Sequence, residues 1–167
     1  LESTVLLKND KNILPLKAGT KVAFVGDFAI TPRYQGAGSS VVNPTKLDTI
    51  QNLAEGCGLE VVGICGGYKR TGEADDALKK EAVELAKKAE VVIYCFGLDE
   101  LSESEGLDRS HMRIPQNQID LLSAMNKVNP RIVGVMSAGS SVEMPWEHNL
   151  MAILHGYLNG QAGEGAM

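Results

Sequence analysis

The residues best suited to chemistry in this chain are the acidic side chains of one stretch, residues 98–115, here named the acid loop. Five carboxylates are followed in the sequence by one arginine and one histidine. These residues are Asp99, Glu100, Glu103, Glu105 and Asp108, then Arg109 and His111. Carboxylates that crowd together raise one another's pKa, which suits a general acid. The same pattern is also typical of a solvated acidic loop. A calcium or magnesium site is a third interpretation, although the spacing does not match an EF-hand.

A second stretch, residues 27–44, contains Gly36 and Gly38 and is named the glycine loop. Glycines after a strand are typical of dinucleotide binding, but the G-x-G-x-x-G pattern fails because Val41 stands at the third glycine position. Two interpretations remain open. The loop is either mobile, bringing its backbone, Arg33 and Tyr34 to a polar ligand such as a sugar, or a surface loop with turn glycines.

Alternating strand and helix patterns must position these two loops. Near-continuous apolar runs predict strands at residues 21–26, 60–65, 91–97, 131–136 and 151–158. Amphipathic patterns predict helices at residues 46–55, 75–89 and 116–128. This order predicts an α/β fold, a three-layer α/β/α sandwich around a mostly parallel sheet. Both loops follow strands, so we expect them at the same edge of the sheet, where such folds bind ligands.

Composition narrows the class of protein further. The 167 residues are 44% hydrophobic and 22% charged, as in an ordinary globular domain. A net charge of −5 argues against nucleic acid or an anionic membrane as partner, and no apolar run approaches the roughly 20 residues that span a bilayer. The three cysteines lack metal-ligand spacing, and Cys65 and Cys95 lie in apolar runs. Reduced core thiols and a cytoplasmic setting are therefore expected.

Specific motifs resemble the C-terminal domain of family 3 glycoside hydrolases. They occur in the family's order across nearly the whole chain, at residues 2–9, 14–16, 33–40, 43–44, 104–109, 114–115, 118 and 160–163. The first group resembles the start of that domain, and residues 33–40 resemble its glycine-rich loop. Residues 104–109 (Ser-Glu-Gly-Leu-Asp-Arg) resemble its acid-containing loop. Residues 160–163 resemble its later turn into a helix.

The resemblance implies an active site built by two domains. An upstream (β/α)8 barrel would carry the aspartate nucleophile, and this domain would supply the acid/base glutamate, which matches Glu105. Glu103 is a near neighbour that could be mistaken for it. Residues 33–40 would line the aglycone side of the pocket. Some relatives carry a tryptophan just after these glycines, where this sequence has Ser39.

The expected organisation follows from that resemblance. Residues 1–20 would form a lead-in arm from the barrel, and residues 21–167 would form the sandwich domain, truncated at its C-terminal end. The expected reaction is retaining hydrolysis of terminal β-D-glucosyl residues without cofactor or metal, with Glu105 as catalytic residue. The predicted substrate-binding residues are Arg33, Tyr34, Gly36, Gly38 and Ser39. The alternatives are a non-catalytic carbohydrate-binding or scaffold domain and a flavodoxin-like regulatory domain.

Overall fold

A six-stranded sheet organises residues 2–167, which are the residues that the computed structural model describes. Its strands in chain order are β1 (Val5–Asn9), β2 (Lys21–Val25), β3 (Glu60–Cys65), β4 (Val91–Gly97), β5 (Ile132–Ser137) and β6 (Ala152–His155). They stand side by side in the order β1-β6-β5-β4-β2-β3, and every neighbouring pair is parallel except β1 and β6. The predicted α/β class with a mostly parallel sheet is confirmed.

The central strands are apolar along their whole length because they are covered on both faces. All seven residues of β4 are buried, and so are all six residues of β5. The fifth predicted strand was too long, since β6 ends at His155. Tyr157 adopts a φ of 53°, which turns the chain out of the extended conformation.

The opening segment joins the sheet as its edge strand. β1 pairs antiparallel with β6, with Val5 opposite His155 and Asn9 opposite Ala152. Because β1 runs against the other strands, the residues that precede it lie at the carboxyl edge of the parallel strands. The chain therefore enters the sheet at the same edge as the loops that follow β2 and β4.

Two helices of eleven residues cover one face of the sheet. They are α3 (Asp76–Ala86) and α4 (Gln116–Asn126), and both were predicted. The carboxylate of Asp75 caps α3 by accepting hydrogen bonds from the amides of Ala77 and Leu78 at 3.1 Å. The helices bury apolar side chains against the sheet, including Ala82, Ala86, Leu121, Leu122 and Met125.

The opposite face is covered by three single-turn helices: α1 (Asp27–Ile30), α2 (Ile50–Leu53) and α5 (Gly163–Ala166). The predicted helix at 46–55 was wrong in extent. Thr49 caps the start of α2 by accepting from the amide of Asn52, while the amide of Asp48 donates to the carbonyl of Gln161 in a distant loop. No helix within residues 2–167 has the length and apolar character needed to cross a bilayer.

Candidate active site

The glycine loop and the acid loop meet at the carboxyl edge of the sheet, as the parallel topology predicts. Ala37 and Ser104 form an isolated parallel bridge between them. The amide of Ser39 donates a hydrogen bond to Glu105 Oε2 at 3.1 Å. The edge therefore brings one predicted acid/base residue and one predicted sugar-contacting residue into direct contact.

Glu105 stands exposed at this junction. Hydrogen bonding from the hydroxyl and then the amide of Ser39 holds the pKa of Glu105 below its ordinary value, because both bonds favour the ionised carboxylate. Gly38 makes the approach possible. It adopts a φ of +77°, and a Cβ added there would lie 3.0 Å from Glu105 Cβ.

Glu103 lies two residues earlier and has a very different environment. Its side chain is only 10% exposed. Oε2 accepts a hydrogen bond from the amide of Gly139 at 2.9 Å, and Oε1 accepts one from the hydroxyl of Ser140. Both partners follow β5, so Glu103 ties the acid loop to the neighbouring loop.

Arg33 is buried beneath the loops rather than facing solvent. The side chain is fully inaccessible, and its Nη2 lies 3.9 Å from Glu103 Oε2 while its Nε lies 4.0 Å from Glu100 Oε1. None of its three side-chain nitrogens has a hydrogen-bond partner within the described chain. In this structure Arg33 is thus directed at the acid loop.

The remaining predicted sugar-contacting residues lie along the glycine loop. The Tyr34 hydroxyl accepts a hydrogen bond from Gln35 Nε2 at 2.8 Å, and the Tyr34 carbonyl accepts one from the amide of Gly160. Gly36 leaves space that the Ser40 hydroxyl occupies, 2.7 Å from where a Cβ would stand. Gly38 and Ser39 are exposed at the junction.

Sequence reasoning missed Arg70, which joins this charged group from the segment after β3. Its guanidinium contacts Asp27, Glu100 and the carbonyl of Thr31. The signal was available, because the segment after β3 reaches the same edge as the other loops. A basic side chain there faces the acids of the two long loops.

Metal binding has little support at this edge. Among the side chains that the structure describes, no three of histidine, cysteine, aspartate or glutamate come together in a way that could hold a metal ion. Two carboxylates of the acid loop instead face an arginine or a backbone amide: Glu100 contacts Arg70, and Glu103 accepts from the amide of Gly139.

An apolar cavity of about 540 Å³ lies between the sheet, the segment after β1 and the helices α2 and α5. Its lining is almost wholly apolar and includes Leu14, Leu16, Phe24, Ile93, Val133 and Val135. Glu164 also lines it, and burial raises the pKa of Glu164 to about 7. The cavity contains none of the predicted site residues.

The fold and the junction of the two loops define a class of domain. The model of the glycosyl hydrolase family 3 C-terminal domain matches residues 4–167. The chain therefore belongs to this family, and the resemblance of its motifs is confirmed.

Individual relatives are similar over the whole chain. The thermostable beta-glucosidase B of Acetivibrio thermocellus is 43% identical over 169 residues, which cover 99% of this chain and 22% of the relative. An exo-alpha-(1->6)-L-arabinopyranosidase of Bifidobacterium breve is 42% identical over 177 residues, which cover 100% of this chain and 23% of the relative. The crystal structure of a GH3 beta-glucosidase from Bifidobacterium adolescentis superposes with a TM-score of 0.93 at 47% identity, covering 99% of this chain and 24% of that one. The chain thus spans less than a quarter of the length of these relatives.

Proposed function

We propose that this chain is the part of a retaining β-glucosidase that supplies the acid/base carboxyl group, Glu105, for hydrolysis of terminal β-D-glucosyl residues. The observation that carries the proposal is the exposed position of Glu105 where the acid loop meets the glycine loop. Glu103, by contrast, has both oxygens engaged by Gly139 and Ser140. A carboxyl group that exchanges protons with a substrate must be reachable, and Glu105 meets that requirement.

The retaining reaction needs a second carboxylate about 5–5.5 Å from the acid/base, acting as nucleophile. We infer that an upstream (β/α)8 barrel supplies it. Two features support this inference. Residues 2–4 lie at the carboxyl edge because β1 is antiparallel, so an upstream domain would adjoin the junction. The two loops also expose apolar side chains that such a domain could cover, namely Val41, Val42, Leu101, Leu107 and Met112.

A barrel carboxylate would also change the proton affinity of Glu105. In this domain, Ser39 holds the pKa of Glu105 low, whereas a general acid must be protonated near the operating pH. A nearby negative nucleophile and the loss of solvent on assembly both favour the protonated form. In the proposed mechanism, Glu105 protonates the leaving-group oxygen while the nucleophile attacks. The resulting Glu105 carboxylate then deprotonates the water that releases the sugar.

The sugar and the leaving group are assigned to different parts of the protein. Relatives named as an exo-alpha-(1->6)-L-arabinopyranosidase and a probable exo-1,4-beta-xylosidase are similar to this chain. Glucose is therefore a proposal that depends mainly on the barrel. The exposed Ser39 and the half-buried Tyr34 are proposed to line the aglycone side. In the full-length protein, Ser39→Trp should alter preference among aglycones more than the rate with a small activated substrate.

The deciding experiment is kinetic and uses the full-length protein. Glu105→Ala should slow hydrolysis of β-glucosides with poor leaving groups by about 10²–10⁴-fold, since these need protonation. Glycosides with good leaving groups should form the glycosyl-enzyme at a rate much closer to that of the wild type. Azide should then restore turnover by replacing the activated water.

Glu103→Ala is the comparison variant and should give no azide rescue, because it leaves the carboxyl group of Glu105 in the protein. Azide rescue in Glu103→Ala but not in Glu105→Ala would assign the acid/base role to Glu103. Rescue in neither variant would favour a carbohydrate-binding or scaffold role. The chain without an upstream domain should show no steady hydrolysis of an aryl β-glucoside, because it lacks the proposed nucleophile.

A further inference from the structure

Arg33 presents a buried positive charge with unused donors. Its side chain is fully inaccessible, and its Nε, Nη1 and Nη2 make no hydrogen bond within the described chain. Burial of an ionised group is costly unless an opposite charge compensates it. The compensating charges are carboxylates of the acid loop, Glu103 at 3.9 Å and Glu100 at 4.0 Å. The attraction between Arg33 and these carboxylates therefore pulls the glycine loop and the acid loop together.

A second arginine fixes the other side of this group. Arg70 contacts both Asp27, at the start of the glycine loop, and Glu100, in the acid loop. Two arginines thus face three carboxylates, so the charges are nearly balanced. Arg70 forms a salt bridge with Glu100 on the side nearer to solvent, and Arg33 lies between Glu100 and Glu103.

Contacts then continue along both loops toward Glu105. Arg33 faces Glu103, Ala37 bridges Ser104, and the amide of Ser39 donates to Glu105. Successive residues of the glycine loop therefore contact successive residues of the acid loop. Glu103 is also hydrogen-bonded to Gly139 and Ser140. The buried end of this series of contacts is therefore fixed to the loop after β5. The outer end is the exposed Glu105.

We propose that Arg33 and Glu103 are positioning residues that set where Glu105 stands. The effect of these two residues on catalysis rests on the proposed function, in which Glu105 is the acid/base. The positive charge of Arg33, buried below the junction, attracts the Glu103 carboxylate. This attraction and the two hydrogen bonds of Glu103 fix the position of residue 103, and residue 103 in turn fixes where residues 104 and 105 begin. The contact between Ser39 and Glu105 is then a result of the inner pair.

The test uses this chain and the nuclear magnetic resonance signal of the Ser39 amide during a pH titration. In the wild type, the amide signal should follow the ionisation of Glu105, with a midpoint below the ordinary value for glutamate. In Arg33→Met and Glu103→Gln, the amplitude should fall by at least half and the midpoint should rise toward the ordinary value. Arg113→Met is the matched control, because it removes an exposed ion pair with Glu143 from the same loop. It should leave the Ser39 titration unchanged.

Wild-type amplitude and midpoint in folded Arg33→Met and Glu103→Gln would overturn the proposal. If Arg33→Met does not fold, Glu103→Gln carries the same test. Arg33→Lys keeps the positive charge and should retain most of the wild-type Ser39 titration. In the full-length protein, Arg33→Met should lower kcat for poor leaving groups with little change in KM and no azide rescue. Failure of Glu105→Ala to show rescue would count against the proposed function alone, since the Ser39 signal does not depend on catalysis.

Discussion

The root and the tip of the acid loop place the same kind of side chain in opposite environments. The root consists of Gly97, the last residue of β4, and residues 98–103 of the acid loop. There Glu103 is nearly buried, and both of its carboxylate oxygens accept hydrogen bonds from neighbouring protein groups. At the tip, residues 104–108, Glu105 is exposed and its carboxylate accepts hydrogen bonds from the amide and the hydroxyl of Ser39. Two glutamates that are two residues apart can therefore differ in role. The surroundings of Glu103 make it a structural contact, whereas those of Glu105 leave it free to react.

The root is rigid because it belongs to the edge of the sheet. Gly97 ends β4, and the buried side chain of Gln118 brackets it, accepting from its amide at 3.0 Å and donating to its carbonyl at 3.1 Å. Asp99 is also buried, and its carboxylate accepts from the amide of Ser102 at 2.7 Å. Among the described residues, the tip shows no comparable set of contacts, so its position depends on its attachment to the root and on its contacts with the glycine loop.

The largest effect should come from Gly97→Ala at the root. Gly97 adopts a φ of +144°, and a Cβ there would lie 1.9 Å from the carbonyl oxygen of Ser137. Backbone atoms of β4 and β5 would have to separate, so the free energy of unfolding should fall by about 4 kcal/mol or more. Urea unfolding followed by circular dichroism measures it. Near-wild-type stability would mean that the root is far more adaptable than its contacts indicate.

Glu103→Ala should have the next largest effect. The variant removes the carboxylate nearest Arg33 and leaves the amide of Gly139 without its acceptor. Leaving a buried charge less compensated should lower the free energy of unfolding by about 2–3 kcal/mol. The same urea experiment measures the loss, with Glu143→Ala as an exposed control in which little should change. Equal losses in both variants would remove the distinction between root and surface.

Gly106→Ala tests the tip with the same substitution as Gly97→Ala. Gly106 has a φ of +78°, but no heavy atom lies within 4 Å of an added Cβ. The cost is then limited to the left-handed backbone conformation, about 1 kcal/mol. Urea unfolding of the two glycine variants side by side gives the comparison directly. A loss as large as that of Gly97→Ala would show that the tip is as constrained as the root.

The sequence was sufficient for the sheet and for the meeting of the two loops, because both follow from apolar strands such as β4 and from parallel topology. It did not predict β1 as a strand of the sheet, since the short segment Val5–Asn9 exposes most of its apolar side chains and pairs with a strand nearly 150 residues away. The sequence could have placed Arg70 at this edge, but it could not predict the charge pairs around Arg33. Which carboxylates Arg33 faces depends on loop conformation rather than on spacing, and the burial of Arg33 could not be read from the sequence. Its contact with a sugar stays a prediction.

The smallest effect should come from Glu105→Gln at the tip, where the informative quantity is the pH dependence. The folded-state pKa of Glu105 lies below its ordinary value of 4.5, so the unfolded chain takes up the proton first as the pH falls. The stabilisation is therefore present above about pH 4.5 and is lost as the pH falls through the folded-state pKa. Thermal unfolding should show the wild type slightly more stable than Glu105→Gln at pH 6, and the difference should shrink as the pH falls below about 4.5.

Glu164→Gln is the matched control of opposite sign. Burial raises the folded-state pKa of Glu164 to about 7, so the stabilisation from Glu164 is fully present below about pH 4.5. It is lost as the pH rises toward 7, because the unfolded chain ionises first. The Glu164→Gln variant should therefore lose less stability than the wild type between pH 4.5 and 7. Over the same range, the difference in stability between Glu105→Gln and the wild type should stay nearly constant. If Glu105→Gln instead followed the Glu164 pattern, Glu105 would be stabilised as a neutral acid within this domain, and the hydrogen bonds from Ser39 would not be what controls its proton.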